Sequence, residues 1–146
     1  MKVIVVSGTP GTGKTVIAKR IAKEKDYKYI DINEIIKINK LSEGHDKDTK
    51  IIDTDRLNKV LIKLIKKEKT QGTKGLVIDS HVSHYLPAKY VSECIITKCD
   101  LKELKQRLKK RNYSPEKIRE NLDAEIFDTC RIEALELGHK VKVIHT

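Results

Sequence analysis

The stretch from position 2 to position 15, KVIVVSGTPGTGKT, limits the possible folds more than any other part of the sequence. It begins with β-branched residues at positions 3–6 that show no polar alternation, which is typical of a strand buried on both faces of a parallel sheet. From Gly8 the spacing matches G-x-x-x-x-G-K-[ST], with Gly13, Lys14 and Thr15 in the defining places. The pattern predicts a phosphate-binding loop between a buried strand and a helix.

The residue types in this loop suit a bound nucleoside triphosphate. Gly8, Gly11 and Gly13 allow successive backbone N–H groups to point into one concavity, and they place no Cβ in the way of the phosphates. The helix that follows directs its positive N-terminal end at the same anion. Lys14 is expected to reach the β- and γ-phosphates, and the Thr15 hydroxyl is expected to ligate Mg²⁺.

Length and charge limit the class of protein. A chain of 146 residues is predicted to form a single domain, so any lid must be a short insertion. The net charge of +10 comes mostly from lysines that are spread along the chain. Two interpretations stay open, because such a charge suits solvated helix faces and also suits a surface that meets phosphate-rich partners such as RNA.

Cysteine usage and hydropathy predict the compartment. The three cysteines form no C-x-x-C pair and are odd in number, which argues against a disulfide framework or a zinc knuckle. Met1 leads directly into the first strand, and no apolar run approaches about 18 residues. We therefore expect a soluble, cytoplasmic protein without a signal peptide or a membrane contact.

Five predicted strands alternate with helices along the chain. The strands are expected at 3–6, 27–30, 76–79, 91–97 and 140–145, and the helices at 13–25, 31–40, from 53 to the turn at 71–75, 101–110 and 115–137. The polar segment 41–50 is predicted to be a mobile loop. This order predicts an α/β fold, a doubly wound five-stranded parallel sheet flanked by helices.

Helical spacing also predicts which side chains face the core. In the first helix, Val16, Ile17, Ile21 and Ala22 form the apolar side that packs on the sheet. The predicted inward residues of the last helix are Ile118, Leu122, Ile126, Phe127 and Cys130.

Asp79 closes the third apolar strand, as the acid of a Walker B element does. At that position its carboxylate would lie at the same sheet edge as the phosphate loop and could bind Mg²⁺ directly or through water. His81, two residues further on, is placed to orient or deprotonate a water or another hydroxyl near the γ-phosphate. His84 is interpreted as structural. A zinc site built from the two histidines is not expected, because no third and fourth ligands accompany them.

Two arginines follow in the predicted helix 101–110 and at its end. Arg107 and Arg111 are four residues apart, so they share one helix face. Arg111 leads into a polar turn in which Ser114 can cap a new helix and Pro115 can take its first position. The pair could close over transferring phosphates, as an arginine finger in cis does.

The loop sequence at positions 8–15 resembles that of nucleoside monophosphate kinases. DTDRL at 53–57, DSH at 79–81, RLKKRNY at 107–113 and EIF at 125–127 resemble the adenylate kinase isoenzyme 6 family, and the resemblance covers essentially the whole chain. It implies a broad-specificity kinase that converts ATP and AMP to two ADP and also has ATPase activity. It further implies a role in late maturation of the small ribosomal subunit, with a ribosomal protein and a pre-ribosomal RNA particle as partners.

The same resemblance implies roles for particular residues. ATP would contact Gly11, Gly13, Lys14, Thr15, Val16 and the lid residue Arg111. Residues 31–52 would bind the monophosphate, 110–120 would form the lid, and Asp79 with His81 would serve nucleotide hydrolysis. Two departures from the family bear on binding. Lys37 stands where an arginine is common, and the chain ends at Thr146, before the closing loop and helix that adenylate kinases place against the adenine.

Three hypotheses stay open at this point. The first is phosphoryl transfer from ATP to a nucleoside monophosphate. The second is a ribosome assembly factor whose nucleotide state changes its grip on a partner, with kinase activity secondary. The third is a small-molecule kinase of the shikimate or gluconate type, which the 53–57 segment favours less.

Overall fold

The computed structural model describes residues 1–46 and 49–146. The strands and helices follow in chain order: β1 (Lys2–Ser7), α1 (Lys14–Lys25), β2 (Lys28–Asp31), α2 (Ile32–Ile38), β3 (Ser42–Asp46), β4 (Thr49–Ile52), α3 (Thr54–Thr70), β5 (Gly75–Asp79), β6 (Glu93–Lys98), α4 (Leu101–Lys110), α5 (Pro115–Ile126), α6 (Thr129–Glu136) and β7 (Val141–His145). Two short 3₁₀ helices, Ser83–Tyr85 and Ala88–Tyr90, lie between β5 and β6.

The main sheet has five parallel strands in the order β2-β5-β1-β6-β7. The predicted doubly wound P-loop fold is therefore confirmed. Val6 pairs in register with Asp79 on one side of β1, and Asp79 pairs with Asp31 on the far side of β5. The carboxyl ends of these strands meet at one edge, directly beside the loop that follows β1.

The core lies on both faces of the sheet, as the unbroken apolar runs predict. Along β1, Val3 and Val5 pack into the larger cluster, whereas Ile4 and Val6 pack into the smaller one beneath α1. The larger cluster includes the apolar stripe of α3, whose members Leu57, Leu61 and Ile65 follow one another at four-residue spacing.

Polar residues begin three of the helices. The Asp31 carboxylate accepts the backbone N–H of Asn33, and the Asp53 carboxylate accepts that of Arg56. At α5 the Ser114 hydroxyl accepts the N–H of Lys117, with Pro115 in the first turn. These caps hold N–H groups that have no partner within the helix, and they confirm the predicted helix starts at Asp31, Asp53 and Ser114.

The segment predicted as a loop over 41–50 is different in the structure. Its backbone forms β3 and β4, which pair antiparallel with a register irregularity between Ser42 and Gly44. The loop prediction was wrong for these strands, because a two-stranded ribbon satisfies its backbone by pairing and does not need apolar alternation to do so. Positions 47 and 48 of that prediction lie outside the described residues.

The predicted long helix over 115–137 is in fact two helices. α5 and α6 are separated at Asp128, whose φ of 58° lies in the left-handed region. An aspartate tolerates this conformation, and its carboxylate is held by Lys98 and Arg131. Because of the break, Ile126 and Phe127 are 54% and 70% exposed, so their predicted inward orientation was wrong.

Helix α1 also differs from the prediction in one residue. Ile17, Ala18 and Ala22 are buried against the sheet, whereas Val16 is exposed. Within the described part of the chain, no helix combines the length and the apolar character that a membrane crossing needs. The three cysteines are free thiols.

Candidate phosphate-binding site

The loop after β1 is pressed against the neighbouring strand β6. Gly8, Gly11 and Gly13 all have positive φ values. A Cβ at Gly8 would lie 2.6 Å from Thr97 Oγ1 and 2.7 Å from the Thr97 carbonyl oxygen, which is closer than atoms approach. The glycine at position 8 is therefore required both by its backbone conformation and by the contact with β6.

Buried hydroxyl groups hold the loop on the side that faces β6 and α5. Thr12 Oγ1 donates to the Thr9 carbonyl oxygen at 2.6 Å and shares a 2.7 Å hydrogen bond with Thr97 Oγ1. Thr9 Oγ1 donates to Glu125 Oε1 at 3.2 Å. Because these groups are shielded from water, each bond lost would leave an unsatisfied polar atom.

Glu125 connects the loop to α5 and to the end of β6. Its Oε2 accepts the backbone N–H of Cys99 at 3.0 Å, and its Oε1 lies 3.3 Å from Lys98 Nζ. Lys98 also reaches Asp128 at 2.8 Å. Sequence reasoning assigned Glu125 no function, and the only signal was its place in the EIF segment that resembles the family.

A cavity of about 320 Å³ opens on the other side of the loop. Eight of the predicted site residues line it: Gly11, Gly13, Lys14, Thr15, Val16, Asp79, His81 and Arg111. Asn33 and Ile52 line it from the segment 31–52, and Tyr113 lines it from the segment 110–120. The structure therefore brings the loop and both predicted substrate segments to one space.

Lys14 is the central cation of this cavity. Its Nζ donates to the Gly8 carbonyl oxygen at 3.0 Å and to the Thr9 carbonyl oxygen at 3.2 Å. Burial lowers the pKa of the Lys14 ammonium to about 8, and the charge of Arg111 adds to this effect while that of Asp79 opposes it. An anion in the cavity would relieve the cost of burying this charge.

Asp79 lies at the end of β5 with two hydroxyl groups on its carboxyl group. Tyr29 Oη donates to Asp79 Oδ2 at 2.6 Å, and the Thr15 hydroxyl is a second hydrogen-bond partner. Burial raises the pKa of the carboxyl group, although Tyr29 and Lys14 favour its ionised form. Tyr29 was not predicted as a site residue, because the spacing of an apolar strand carries no sign of a contact made across the sheet.

The two histidines have different environments. His81 lines the cavity, and burial lowers the pKa of its imidazole to about 4, with the Lys14 charge acting in the same direction. The ring is therefore neutral near pH 7 and can accept a hydrogen bond. His84 is 1% exposed and its Nδ1 shares a 2.6 Å hydrogen bond with the Ser7 hydroxyl. This burial agrees with its interpretation as a structural residue.

The two arginines are placed differently from each other. Arg111 follows the last turn of α4 and lines the cavity that Lys14, Asp79 and His81 share, which we call the phosphate cavity. Arg107 does not line that cavity, because its Nη1 donates to the Gly11 carbonyl oxygen at 3.1 Å and to Thr146 Oγ1 at 3.2 Å. Both arginines line a second cavity of about 560 Å³, together with Val16, Ile144 and Thr146. Arg107 is thus a neighbour of the loop backbone, on the side away from Asp79.

The oxygen groups near Lys14 fit a nucleotide accompanied by Mg²⁺. Mg²⁺ favours carboxylate and hydroxyl oxygens and keeps positions for water and phosphate, and the adjacent Asp79 and Thr15 offer this set. Among the described residues, no group of three or more His, Cys, Asp or Glu side chains could hold a metal ion. A divalent ion at this position would therefore need phosphate oxygens and water to complete its ligands.

Several known proteins are similar to this chain in sequence. The family model described as an AAA domain matches residues 4–128. A "Putative adenylate kinase" of Methanocaldococcus jannaschii is 40% identical over 133 residues, which cover 90% of this chain and 71% of that protein. A protein of the same description from Methanosarcina acetivorans is 38% identical, with 97% of this chain and 75% of that protein covered.

A yeast relative and a solved structure extend the comparison. The "Adenylate kinase isoenzyme 6 homolog FAP7" of Saccharomyces cerevisiae is 38% identical, with 91% of this chain and 66% of that protein covered. The crystal structure of a sugar kinase from Janibacter sp. HTCC2649 superposes with a TM-score of 0.66 at 18% identity, covering 99% of this chain and 85% of that one. At this identity the likeness concerns the fold alone.

Proposed function

The chain belongs to the adenylate kinase isoenzyme 6 family of AAA-domain P-loop proteins, and from that premise we propose a broad-specificity nucleoside monophosphate kinase with additional ATPase activity. The reaction is ATP plus AMP giving two ADP. The observation that carries the proposal is the single cavity that Lys14, Asp79, His81 and Arg111 share with residues of the segments 31–52 and 110–120.

The proposed transfer needs no nucleophile from the protein. A phosphate oxygen of AMP attacks the γ-phosphorus of ATP and forms the new P–O bond. The bond from that phosphorus to the β,γ-bridging oxygen breaks, and its electron pair stays on this oxygen in the ADP that leaves. Lys14 and Arg111 balance the charge on the transferring group, and the loop N–H groups hold the β-phosphate. Thr15 and Asp79 would hold Mg²⁺, which supplies further neutralisation of the phosphate oxygens when bound.

The two cavities suggest where the parts of the nucleotides lie. We place the phosphates of ATP in the cavity with Lys14 and its base in the second cavity, between Arg107 and Thr146. The monophosphate enters on the side of Asn33 and Ile52, so 31–52 is the acceptor segment of a single kinase domain over 1–146. Lys37 follows Asn33 by about one turn of α2 and would offer a point charge in place of the planar fork of an arginine, which favours a looser grip on the acceptor.

His81 supports the ATPase part of the proposal. Its neutral ring lines the phosphate cavity and can accept a hydrogen bond from a water that attacks the γ-phosphorus. Arg111 and the segment 110–120, which covers the end of α4 and the first half of α5, close over the phosphates in both reactions.

The proposal is tested by measuring ADP formation from ATP with AMP, dAMP or CMP as the acceptor. Lys14→Ala should abolish turnover, because the burial of phosphate charge then lacks its main counter-charge. Lys23→Ala is the matched control, since Lys23 is an exposed lysine of the same helix α1. Wild-type protein that shows no monophosphate-dependent turnover with any of the three acceptors would contradict the kinase assignment.

A second candidate function is a ribosome assembly factor that binds RNA or a ribosomal protein according to its nucleotide state. The observation that favours it is a groove of about 620 Å³ between α4 and α5, which we call the α4–α5 groove and which Lys105, Lys109, Arg119 and Tyr113 line. Arg119 also pairs with Asp123 at 3.3 Å. Cations beside an aromatic ring suit a single-stranded RNA, and Tyr113 lines the phosphate cavity as well.

Two charge-reversal variants test this second function. Lys105→Glu with Lys109→Glu changes the α4–α5 groove, whereas Lys59→Glu with Lys63→Glu makes the same charge change on the exposed face of α3. Binding of a labelled single-stranded RNA should fall by at least about tenfold for the first pair and less for the second. Equal losses would mean non-specific attraction, and identical partners captured with ATP and with ADP would contradict a nucleotide switch.

A further inference from the structure

Tyr29 reaches the Walker B acid from a neighbouring strand. Asp31 is in register with Asp79, and Tyr29 lies two residues earlier on β2, opposite Val77. Its hydroxyl group donates to Asp79 Oδ2 at 2.6 Å. A phenol and a carboxyl group at this distance form a strong hydrogen bond, since the acceptor carries charge when it is ionised.

The aromatic ring of Tyr29 is itself held in place. The half-buried ring packs against the smaller core cluster beneath α1, at whose border Ile21 and Tyr27 also lie. Lys19 Nζ lies 5.5 Å from the ring centre, on the side of α1. A hydroxyl group on a ring fixed in this way has little freedom, so it restricts the carboxyl group that it bonds.

Tyr29 holds one of the two oxygens of Asp79. Oδ2 accepts the hydrogen bond from Tyr29, and the Thr15 hydroxyl is a further hydrogen-bond partner of the carboxyl group. Without Tyr29, the carboxyl group at the end of β5 could turn about its last side-chain bond, because that torsion is soft. Groups that orient a metal-binding side chain in this way typically change metal affinity by about 10- to 100-fold when they are removed.

We propose that Tyr29 is a positioning residue, which orients the Asp79 carboxylate for the divalent cation that accompanies a nucleoside triphosphate. The inference rests on the proposed function in so far as Asp79 serves nucleotide binding, but it does not require transfer to a monophosphate. It adds a residue of β2 to a site otherwise built from the loop, β5 and the lid.

The test compares Tyr29→Phe with Tyr27→Phe. Tyr27 directly precedes β2, and its ring packs against Gly75. Binding of a fluorescent ATP analogue to the full chain is titrated over a series of Mg²⁺ concentrations and again in EDTA. Mn²⁺ binding with the unlabelled nucleotide is followed separately by electron paramagnetic resonance. Thermal unfolding of each variant is recorded first, without nucleotide.

Tyr29→Phe should raise the Mg²⁺ concentration for half-maximal binding by about tenfold and weaken Mn²⁺ binding equally, with affinity in EDTA within about twofold of wild type. Tyr27→Phe should match the wild type. An unchanged or lower Mg²⁺ requirement in Tyr29→Phe overturns the proposal, and so does an equal loss in EDTA, which would indicate a general support of the site. Wild-type protein that binds Mg²⁺ and ATP but lacks kinase turnover would contradict the proposed function alone.

Discussion

The two sides of the phosphate loop differ in how their polar groups are satisfied. On the side toward β6 and α5, Thr9, Thr12, Thr97 and Glu125 bond to one another or to the backbone. On the cavity side, the Lys14 ammonium donates to the Gly8 and Thr9 carbonyl oxygens of the loop itself. The polar groups on the side toward β6 and α5 are satisfied within the protein, as in a buried core. The charged groups on the cavity side can pair with a bound ligand.

The residues on one side of the loop therefore serve stability, and those on the cavity side serve the chemistry of the site. A buried network in which every group has a partner holds a single loop conformation, and removing one member leaves the others unsatisfied. The cavity side carries groups whose pKa values burial displaces, as at Lys14, Asp79 and His81. Substitutions on the two sides should therefore have different signatures.

The largest expected effect is on the cavity side. Arg111→Ala should lower both phosphoryl transfer and ATP hydrolysis by up to about 10³-fold, because the guanidinium balances transition-state charge in either reaction. Initial rates of both reactions at saturating ATP measure it. Lys102→Ala, which removes an exposed cation at the other end of α4, is the control and should leave both rates within about twofold. A loss in only one of the two reactions would mean that Arg111 serves transfer either to water or to the monophosphate, but not to both.

The next effect concerns the supporting side. Glu125→Gln should lower the free energy of unfolding by about 3 kcal/mol, because an amide cannot accept from Thr9, Cys99 and Lys98 together. Urea denaturation measures the change. Glu120→Gln on the same helix removes an exposed partner of Lys117 and should cost under about 0.5 kcal/mol. Normal stability with lost turnover would place Glu125 among the chemical groups instead.

A third prediction concerns His81. His81→Ala should lower ATP hydrolysis without a monophosphate by about 10²-fold and affect transfer to AMP less, since AMP brings its own nucleophilic oxygen. ATP affinity is measured first, to exclude a binding defect. Equal losses in the two reactions would mean that the imidazole only supports the geometry of the site, and its hydrolytic role would then be dropped.

The residues whose positions the sequence predicted are those whose local pattern has one physical cause. Gly8, Gly13 and Lys14 belong to a spacing that serves phosphate binding, and Asp79 ends an apolar strand that must lie next to β1. The right-handed crossover of parallel strands then leaves little choice of topology. This is why the fold and most lining residues of the cavity could be predicted before the structure.

The missed residues depend on contacts between distant parts of the chain. Tyr29 on β2 contacts Asp79 at the end of the neighbouring strand β5, and Glu125 on α5 contacts Thr9 in the loop after β1. The break at Asp128 has the same origin, because its left-handed backbone is stabilised by Lys98 at the end of β6. The helical spacing of apolar residues continues through Asp128. A prediction from this spacing alone therefore continued the helix past the break and assigned Phe127 to the core.

The smallest expected effect is the dependence of ATP affinity on pH, which reports the protonation of Lys14. Because burial lowers the pKa of Lys14 to about 8 in the free protein, the ammonium is fully charged well below pH 8 and loses its proton above it. Bound phosphates favour the charged form, so ATP binding takes up a proton at higher pH, and affinity must fall as pH rises. The dissociation constant should increase by about tenfold between pH 7 and pH 9, since roughly one lysine in ten then remains protonated.

Lys14→Arg provides the matched control for this pH profile. A guanidinium stays charged throughout this range, so the variant should bind ATP more weakly or equally but with a nearly constant dissociation constant. Isothermal titration in buffers of different ionisation heat would count the protons taken up directly. A wild-type profile as flat as that of Lys14→Arg would show that the lysine remains charged in the free protein. The cavity side of the loop would then be as well satisfied as the side toward Glu125, and the contrast between the two sides would no longer hold.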